Sequence, residues 1–176
     1  NSNVNLCALD LSKAFDKISH YGLFGKLMER HIPVNLLKIL EIWFQTGITC
    51  VKWGNIFSNL YRLNCGIRQG GVLSPYLFAV YIDSVIDRVR KSRVGCEINL
   101  ANIGILMYAD DILLLAPTVT ALQTMLNICE VELAWLDMTI NPAKSVCLRI
   151  GPNWNSVPAC ISTLNGAVIS WQQSFR

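Results

Sequence analysis

Apolar positions along the chain alternate between continuous runs, which suit buried strands, and a three-to-four-residue spacing, which suits helices. Residues 4–9 form a short apolar run closed by the polar Asp10-Leu11-Ser12-Lys13, the pattern of a buried strand that ends at Asp10. From about His20, Leu23, Phe24, Leu27 and Met28 recur at helical spacing, and Pro33 opens a second helix carrying Leu36, Leu37, Leu40, Ile42 and Trp43. Strand character over 48–53 and 60–64 flanks the turn-forming Gly54-Asn55 and predicts a hairpin or a bent pair. After the glycine-rich Gly66-Ile67-Arg68-Gln69-Gly70-Gly71, Ser74 as N-cap and Pro75 in the first helical position launch the longest helix, through about Lys91. Two apolar strands, 103–108 and 112–116, are separated by Ala109-Asp110-Asp111, the shape of a tight hairpin with carboxylates at its tip. A helix follows from near Thr118 to Leu136, and a strand over 145–150 returns after Asn141-Pro142. This order predicts the α+β class: a small antiparallel sheet with helices packed on one face.

Composition narrows the picture. A length of 176 residues suits a single domain. Hydrophobic residues make up 52% and charged residues 15%, which excludes disorder and leaves apolar surface expected to meet a partner. Strand-like sequence by Val4 and a close at Arg176 with no evident stop signal read as a fragment of a longer protein. A net charge of +3 neither demands nor opposes nucleic acid. Arg88, Arg90, Lys91 and Arg93 suit the negative end of a helix dipole, a nucleic-acid contact being the other reading. The seven cysteines are odd in number with no Cys-x-x-Cys pair and read as reduced structural thiols. With only His20 and His31 beside them, zinc is not expected. Residues 98–117 have about the length of a membrane span. Two aspartates within that run cost roughly 2.5–3.5 kcal/mol each on the insertion scale, so no membrane partner is expected.

Those aspartates are the strongest chemical signal. Asp110 and Asp111 interrupt an otherwise uncharged run, 98–119. An ionised carboxylate is costly to bury unless it is neutralised, and a divalent cation shared with a third carboxylate is the simplest remedy. Asp10, at the end of another apolar run, is the candidate third. If its strand lies beside the hairpin, the three carboxylates converge at one edge of the sheet. Two divalent ions roughly 3.5–4 Å apart could then serve an in-line phosphoryl displacement. Magnesium suits such a site because it takes hard oxygen ligands and keeps several waters. A plain Asp-Asp turn is the alternative.

Three blocks in order carry a resemblance to a known family. Leu9-Asp10-Leu11-Ser12-Lys13-Ala14-Phe15-Asp16-Lys17-Ile18-Ser19-His20 resembles the first palm motif of reverse transcriptases. Gly66-Ile67-Arg68-Gln69-Gly70-Gly71-Val72-Leu73-Ser74-Pro75 resembles the second, and Tyr108-Ala109-Asp110-Asp111 the metal-binding third. A fourth, weaker block ends in Asn141-Pro142-Ala143-Lys144-Ser145 and matches the Asn-x-x-Lys element. The chain resembles, over nearly its whole length, the palm and part of the fingers of a non-long-terminal-repeat retrotransposon enzyme. A group II intron reverse transcriptase shares these blocks, and a decayed or domesticated copy that binds nucleic acid without catalysis is the reading from another class.

The resemblance implies a polymerase palm spanning 1–176, with RNA template, DNA primer and deoxynucleotides as partners, and two Mg2+ ions that Mn2+ could replace. It implies that Asp10 and Asp110 bind metal, that Asp111 completes the acidic cluster, and that Leu11 lends its carbonyl. It makes Phe15 a steric gate against ribonucleotides, ordinary core being the alternative. Backbone amides of Lys13 and Ala14 would meet triphosphate oxygens. Gln69 and Gly70 would line the nucleotide pocket, Arg68 would touch phosphate, and Tyr108 would support primer or template. Lys144 would donate a proton to the leaving pyrophosphate. Asp16 and His20 are read as orienting the loop and capping the helix. Further fingers, the thumb and an endonuclease are expected elsewhere in a parent polyprotein. The family's triphosphate-gripping basic residues lie upstream of Asp10. The stretch 164–169 resembles the sequence just before the primer grip, short of which the chain stops. The isolated segment is therefore expected to be inactive or nearly so. Action in the nucleus and in a cytoplasmic ribonucleoprotein is expected from the resemblance alone.

Overall fold

The computed structural model describes residues 3–152, 154, 156 and 158–173. Asn1, Ser174, Phe175 and Arg176, on which the reading of the chain ends leaned, lie outside the described residues. The chain reads from sequence as one domain and divides into two compact units, Asn1–Ala14 with Ile82–Arg176, and Phe15–Tyr81.

In chain order the elements are β1 (Val4–Leu9), a 3-10 turn (Ala14–Lys17), α1 (His20–Glu29), α2 (Val34–Thr46), β2 (Ile48–Thr49), β3 (Lys52–Trp53), β4 (Ile56–Phe57) and β5 (Tyr61–Arg62). There follow α3 (Ser74–Lys91), β6 (Glu97–Ile98), β7 (Ala101–Asn102), β8 (Ile105–Tyr108), β9 (Asp111–Ala116), α4 (Val119–Trp135), β10 (Val146–Ile150), β11 (Ile161–Ser162) and β12 (Val168–Trp171).

The first unit is built on a six-stranded sheet in the order β11-β12-β10-β1-β9-β8. All neighbours are antiparallel except β10 and β12, which run parallel. Side chains alternate across a strand, and here the two faces differ. Asn5, Cys7 and Leu9 of β1 lie opposite Ala116, Leu114 and Ile112 of β9, and all six are buried. Their neighbours Leu113 and Leu115 are only half-buried. Helix α4 packs on the sheet through β1, β9 and β11. It buries Leu122, Met125, Leu126, Cys129 and Leu133, the spacing of one helical stripe. Thr118 caps it by accepting the Ala121 N–H at 3.1 Å. The last turn of α3 joins α4 through Arg88 and Glu132, 2.9 Å apart, so this member of the basic cluster is committed within the protein.

Cys7 and Cys147 are register partners on β1 and β10. The hydrogen bond between them, together with burial, pushes the Cys7 thiol far above its ordinary range. Burial lifts Cys129 to about 12. All seven cysteines are free thiols, and the raised Cys7 and Cys129 are poor nucleophiles at neutral pH.

In the second unit, α1 buries Leu23 and Leu27, and Ser19 rather than His20 caps it, accepting the Gly22 N–H at 3.3 Å. The hairpin expected around Gly54 forms as two short ladders, β3 with β4 and β2 with β5. Ser74 is the first residue of α3, and its hydroxyl donates to the Arg68 carbonyl instead of accepting from the helix. Helix α2 buries no residue and exposes Val34, Leu36, Ile39, Ile42 and Trp43, the apolar surplus that composition foretold. No helix among the described residues is long and apolar enough to cross a membrane. The run 98–119 is instead cut into β6, β7, β8, β9 and their turns.

Candidate active site

The first unit brings the three carboxylates to one end of two neighbouring interior strands, β1 and β9. The β1–β9 register pairs Leu9 with Ile112, so one further step sets Asp10 opposite Asp111. The β8–β9 register pairs Asp111 with Tyr108, leaving Ala109-Asp110 as a two-residue turn. Ala109 holds φ +51, a conformation that side chains rarely adopt and that marks a constrained turn. Asp111 is thus the first residue of β9, not part of the loop. By alternation it faces away from the surface that α4 covers.

Two sequence readings are corrected here. The carboxylates lie at the ends of interior strands, not on a sheet edge, because β10 and β8 flank β1 and β9. Nor are they buried: Asp111 is exposed, and Asp10 and Asp110 are half-exposed. The hairpin resolves the conflict between charge and apolar neighbours by lifting the charges to solvent, so desolvation does not by itself require a cation.

Lys144 is carried to the same place by the segment 139–145. Its Nζ lies 4.0 Å from Asp10 Oδ2, with side chains 70% and 37% exposed, so the pair is solvent-screened and weak. Leu11 forms an antiparallel bridge with Ile140. The two flanking bonds, Asn141 N–H to the Asp10 carbonyl at 2.8 Å and Ser12 N–H to the Thr139 carbonyl at 2.9 Å, bypass Leu11. Its own carbonyl therefore points away from that segment. Ser145 is the residue whose part sequence reasoning missed: its hydroxyl accepts the Asp10 N–H at 3.1 Å. A buried serine placed between a lysine and an apolar strand was the available signal. Lys13 sits in the turn after Asp10 with φ +52, and Ala14 behind it is buried. Tyr108 is 84% exposed.

The donor set of Asp10, Asp110 and Asp111 is all hard oxygen, which fits magnesium or manganese and not a soft metal. Among the described residues no three acidic, histidine or cysteine side chains are closed into a ready metal cage. A magnesium site of the phosphoryl-transfer kind needs only one or two carboxylates, with waters and substrate oxygens completing it.

Phe15, Arg68, Gln69 and Gly70 belong to the second unit. Phe15 is half-buried and stacks on Phe78, ring centroids 4.7 Å apart. One side of the ring is therefore ordinary core. The loop 65–71 is bound to the turn that carries Phe15. Gly66 N–H donates to the Ile18 carbonyl at 2.7 Å and Ile67 N–H to the Phe15 carbonyl at 2.9 Å. His20 Nε2 donates to the Gly66 carbonyl at 2.7 Å, so His20 orients this loop. Gln69 and Gly70 are exposed at its tip; Gly70 has φ +79 and open space where a Cβ would stand. The Arg68 side chain is exposed while its carbonyl accepts from Gly71 N–H and Ser74 Oγ. Asp16 is exposed. A cavity of about 720 Å³ between α1 and α2 is lined chiefly by apolar side chains such as Phe24, Met28 and Leu37, and holds none of these residues.

Comparison with known proteins converges on one family. The chain is 29% identical over 148 residues to the "Retrovirus-related Pol polyprotein from type-1 retrotransposable element R2" of Nasonia vitripennis, covering 84% of this chain and 14% of that protein. It is 25% identical over 174 residues to the "RNA-directed DNA polymerase from mobile element jockey" of Drosophila melanogaster, covering 96% of this chain and 18% of that one. The chain thus spans a small part of these relatives. Its fold is similar to that of apo telomerase from Candida tropicalis truncated from its C-terminal domain, with TM-score 0.64 at 14% identity over 86% of this chain and 32% of that one. Telomerase from Candida albicans in complex with a fragment of telomeric RNA is a second structural neighbour, with TM-score 0.58 at 14% identity over 92% of this chain and 28% of that one. The likeness places the mostly antiparallel sheet and its helices in the polymerase palm fold. Residues 1–175 match the family model described as "Reverse transcriptase (RNA-dependent DNA polymerase)", and the chain belongs to that family.

Proposed function

We propose that this chain is the catalytic palm of a longer retrotransposon polyprotein that copies RNA into DNA, adding deoxynucleotides to a primer 3'-hydroxyl. The observation that carries the reading is the strand register, which sets Asp10 opposite Asp111, beside Asp110 in the adjoining turn.

In this reading Asp10 and Asp110 hold two Mg2+ ions, Asp111 completes the negative cluster and Leu11 adds its carbonyl. Mn2+ would satisfy the same donors. Such ions, when bound, activate the attacking hydroxyl and stabilise the leaving oxygen. The chain's own groups do the rest. Amides of Lys13 and Ala14 bind triphosphate oxygens, since a turn after a strand offers N–H groups to an anion. Lys144 gives its proton to the departing pyrophosphate. Gln69 and Gly70 border the nucleotide and template base, where a bare backbone allows close approach. Arg68 meets phosphate, and Tyr108, beside Asp111, supports primer or template. Phe15, braced by Phe78, screens the sugar 2'-position. Remaining fingers, thumb and an endonuclease in the parent polyprotein would cover the apolar face of α2, and without them the chain alone would be inactive or nearly so. Its work would fall in the nucleus and in a cytoplasmic ribonucleoprotein. The intact carboxylates favour this reading over a non-catalytic nucleic-acid-binding copy.

Primer extension on an RNA template by the full-length protein tests it. Deoxynucleotide incorporation dependent on Mg2+ is expected. Phe15→Val should raise ribonucleotide use by about tenfold or more, the effect of about 1.4 kcal/mol of lost steric exclusion. Unchanged sugar discrimination would return Phe15 to ordinary core.

A further inference from the structure

The segment 139–145 does more than deliver Lys144. It holds both main-chain polar groups of Asp10: the N–H donates to Ser145 Oγ at 3.1 Å, and the carbonyl accepts Asn141 N–H at 2.8 Å. Ser145 is 2% exposed. Its hydroxyl proton is committed to the Asn141 carbonyl at 2.8 Å, which leaves a lone pair for the Asp10 amide and fixes the hydroxyl as donor on one side and acceptor on the other. Ser145 N–H reaches the same Asn141 carbonyl at 2.9 Å, closing a tight turn, and the Asn141 side chain steadies that turn by accepting Ala143 N–H at 3.2 Å. The last rung between β1 and β10 pairs Ala8 with Val146, so Asp10 stands two residues beyond that ladder. The Ser145 hydroxyl is what carries the tether out to it.

From this geometry we infer that Ser145 is a positioning residue for the reaction: through the Asp10 amide it fixes the strand end that presents the carboxylate. As the chain neighbour of Lys144, it also holds that ammonium and the Asp10 carboxylate as one unit. The inference rests on the reading of Asp10 as an ion ligand. The structural hydrogen bonds fall on the Asp10 backbone, and the carboxylate keeps its weak, solvent-screened pair with Lys144.

The test uses the full-length protein with Ser145→Ala, which deletes one oxygen without adding bulk, and Ser145→Thr, which restores a hydroxyl. Losing one hydrogen bond to a part-buried amide should speed hydrogen exchange at Asp10 about tenfold and weaken Mn2+ binding, read by electron paramagnetic resonance, about three- to tenfold. The extension rate constant per folded molecule should fall about tenfold while KM for deoxynucleotide changes less than about twofold, the signature of an interaction expressed in the transition state. Threonine should recover most of each loss. Wild-type Mn2+ affinity and rate in a folded Ser145→Ala protein would overturn the inference. So would a loss explained wholly by a smaller folded fraction, or a folded threonine variant as impaired as alanine. Asp110→Asn in the same assay separates the two levels. If that variant is inert and Ser145→Ala is normal, only the positioning role fails; if Asp110→Asn is fully active, the reading of the carboxylates fails first.

Discussion

Asp110→Asn is expected to lower primer extension on an RNA template by about a thousandfold or more, with the protein still folded. Asparagine keeps the shape of the side chain and removes the charge that a hard divalent ion requires. Losing ion-supplied stabilisation of a phosphoryl-transfer transition state costs several kcal/mol, and about 4 kcal/mol is a thousandfold. The fold should barely notice. Asp110 is half-exposed in a two-residue turn whose unusual backbone angle is carried by Ala109, and substitutions at such positions usually change stability by about 0.5 kcal/mol or less. A thermal melt and an extension assay on the same preparation check both halves. Activity within tenfold of the parent would contradict the catalytic assignment.

Gly66→Ala is expected to produce the largest loss of stability, about 2–4 kcal/mol, or a fall in melting temperature of about 5–15 °C. Gly66 has φ +81, and an added Cβ would stand 3.0 Å from both Cα and the carbonyl oxygen of Asp16 and 3.1 Å from the carbonyl oxygen of Phe15. These are main-chain atoms of the turn that carries Phe15, so relief requires moving the turn itself. Gly70→Ala is the internal comparison. It shares a positive φ of +79 but meets nothing, so it should cost only the backbone term of about 1 kcal/mol. Equal melting temperatures for the two variants would show that the close approach at Gly66 carries no energy.

The regular elements were legible in the sequence where burial is one-sided or complete. Strand β1 and helix α4 follow their apolar patterns to the residue or nearly so. Strands β11 and β12 were not foreseen. A two-residue strand has no periodicity to read, and the edge of β11 is satisfied by a side chain: Gln123 accepts the Ser162 N–H at 3.0 Å and donates to its carbonyl at 2.6 Å. The reacting groups were legible by type and order, because aspartate is rare in apolar runs. Their exposure was not, because a turn can lift two charges out of a core within two residues. Ser145 and Gly66 escaped for a shared reason. Their work is done on backbone atoms of Asp10 and of Phe15 and Asp16, remote in the chain, and no local pattern records a tertiary hydrogen bond.

The central claim is that Asp10, just past the end of β1, and Asp110, in the turn between β8 and β9, hold divalent ions together. The most direct measurement is an anomalous diffraction map of the full-length protein crystallised with Mn2+, primer–template and a non-extendable nucleotide. The account predicts manganese peaks about 2.1 Å from carboxylate oxygens of both residues. Fully occupied nucleotide with no peak touching either carboxylate would contradict it.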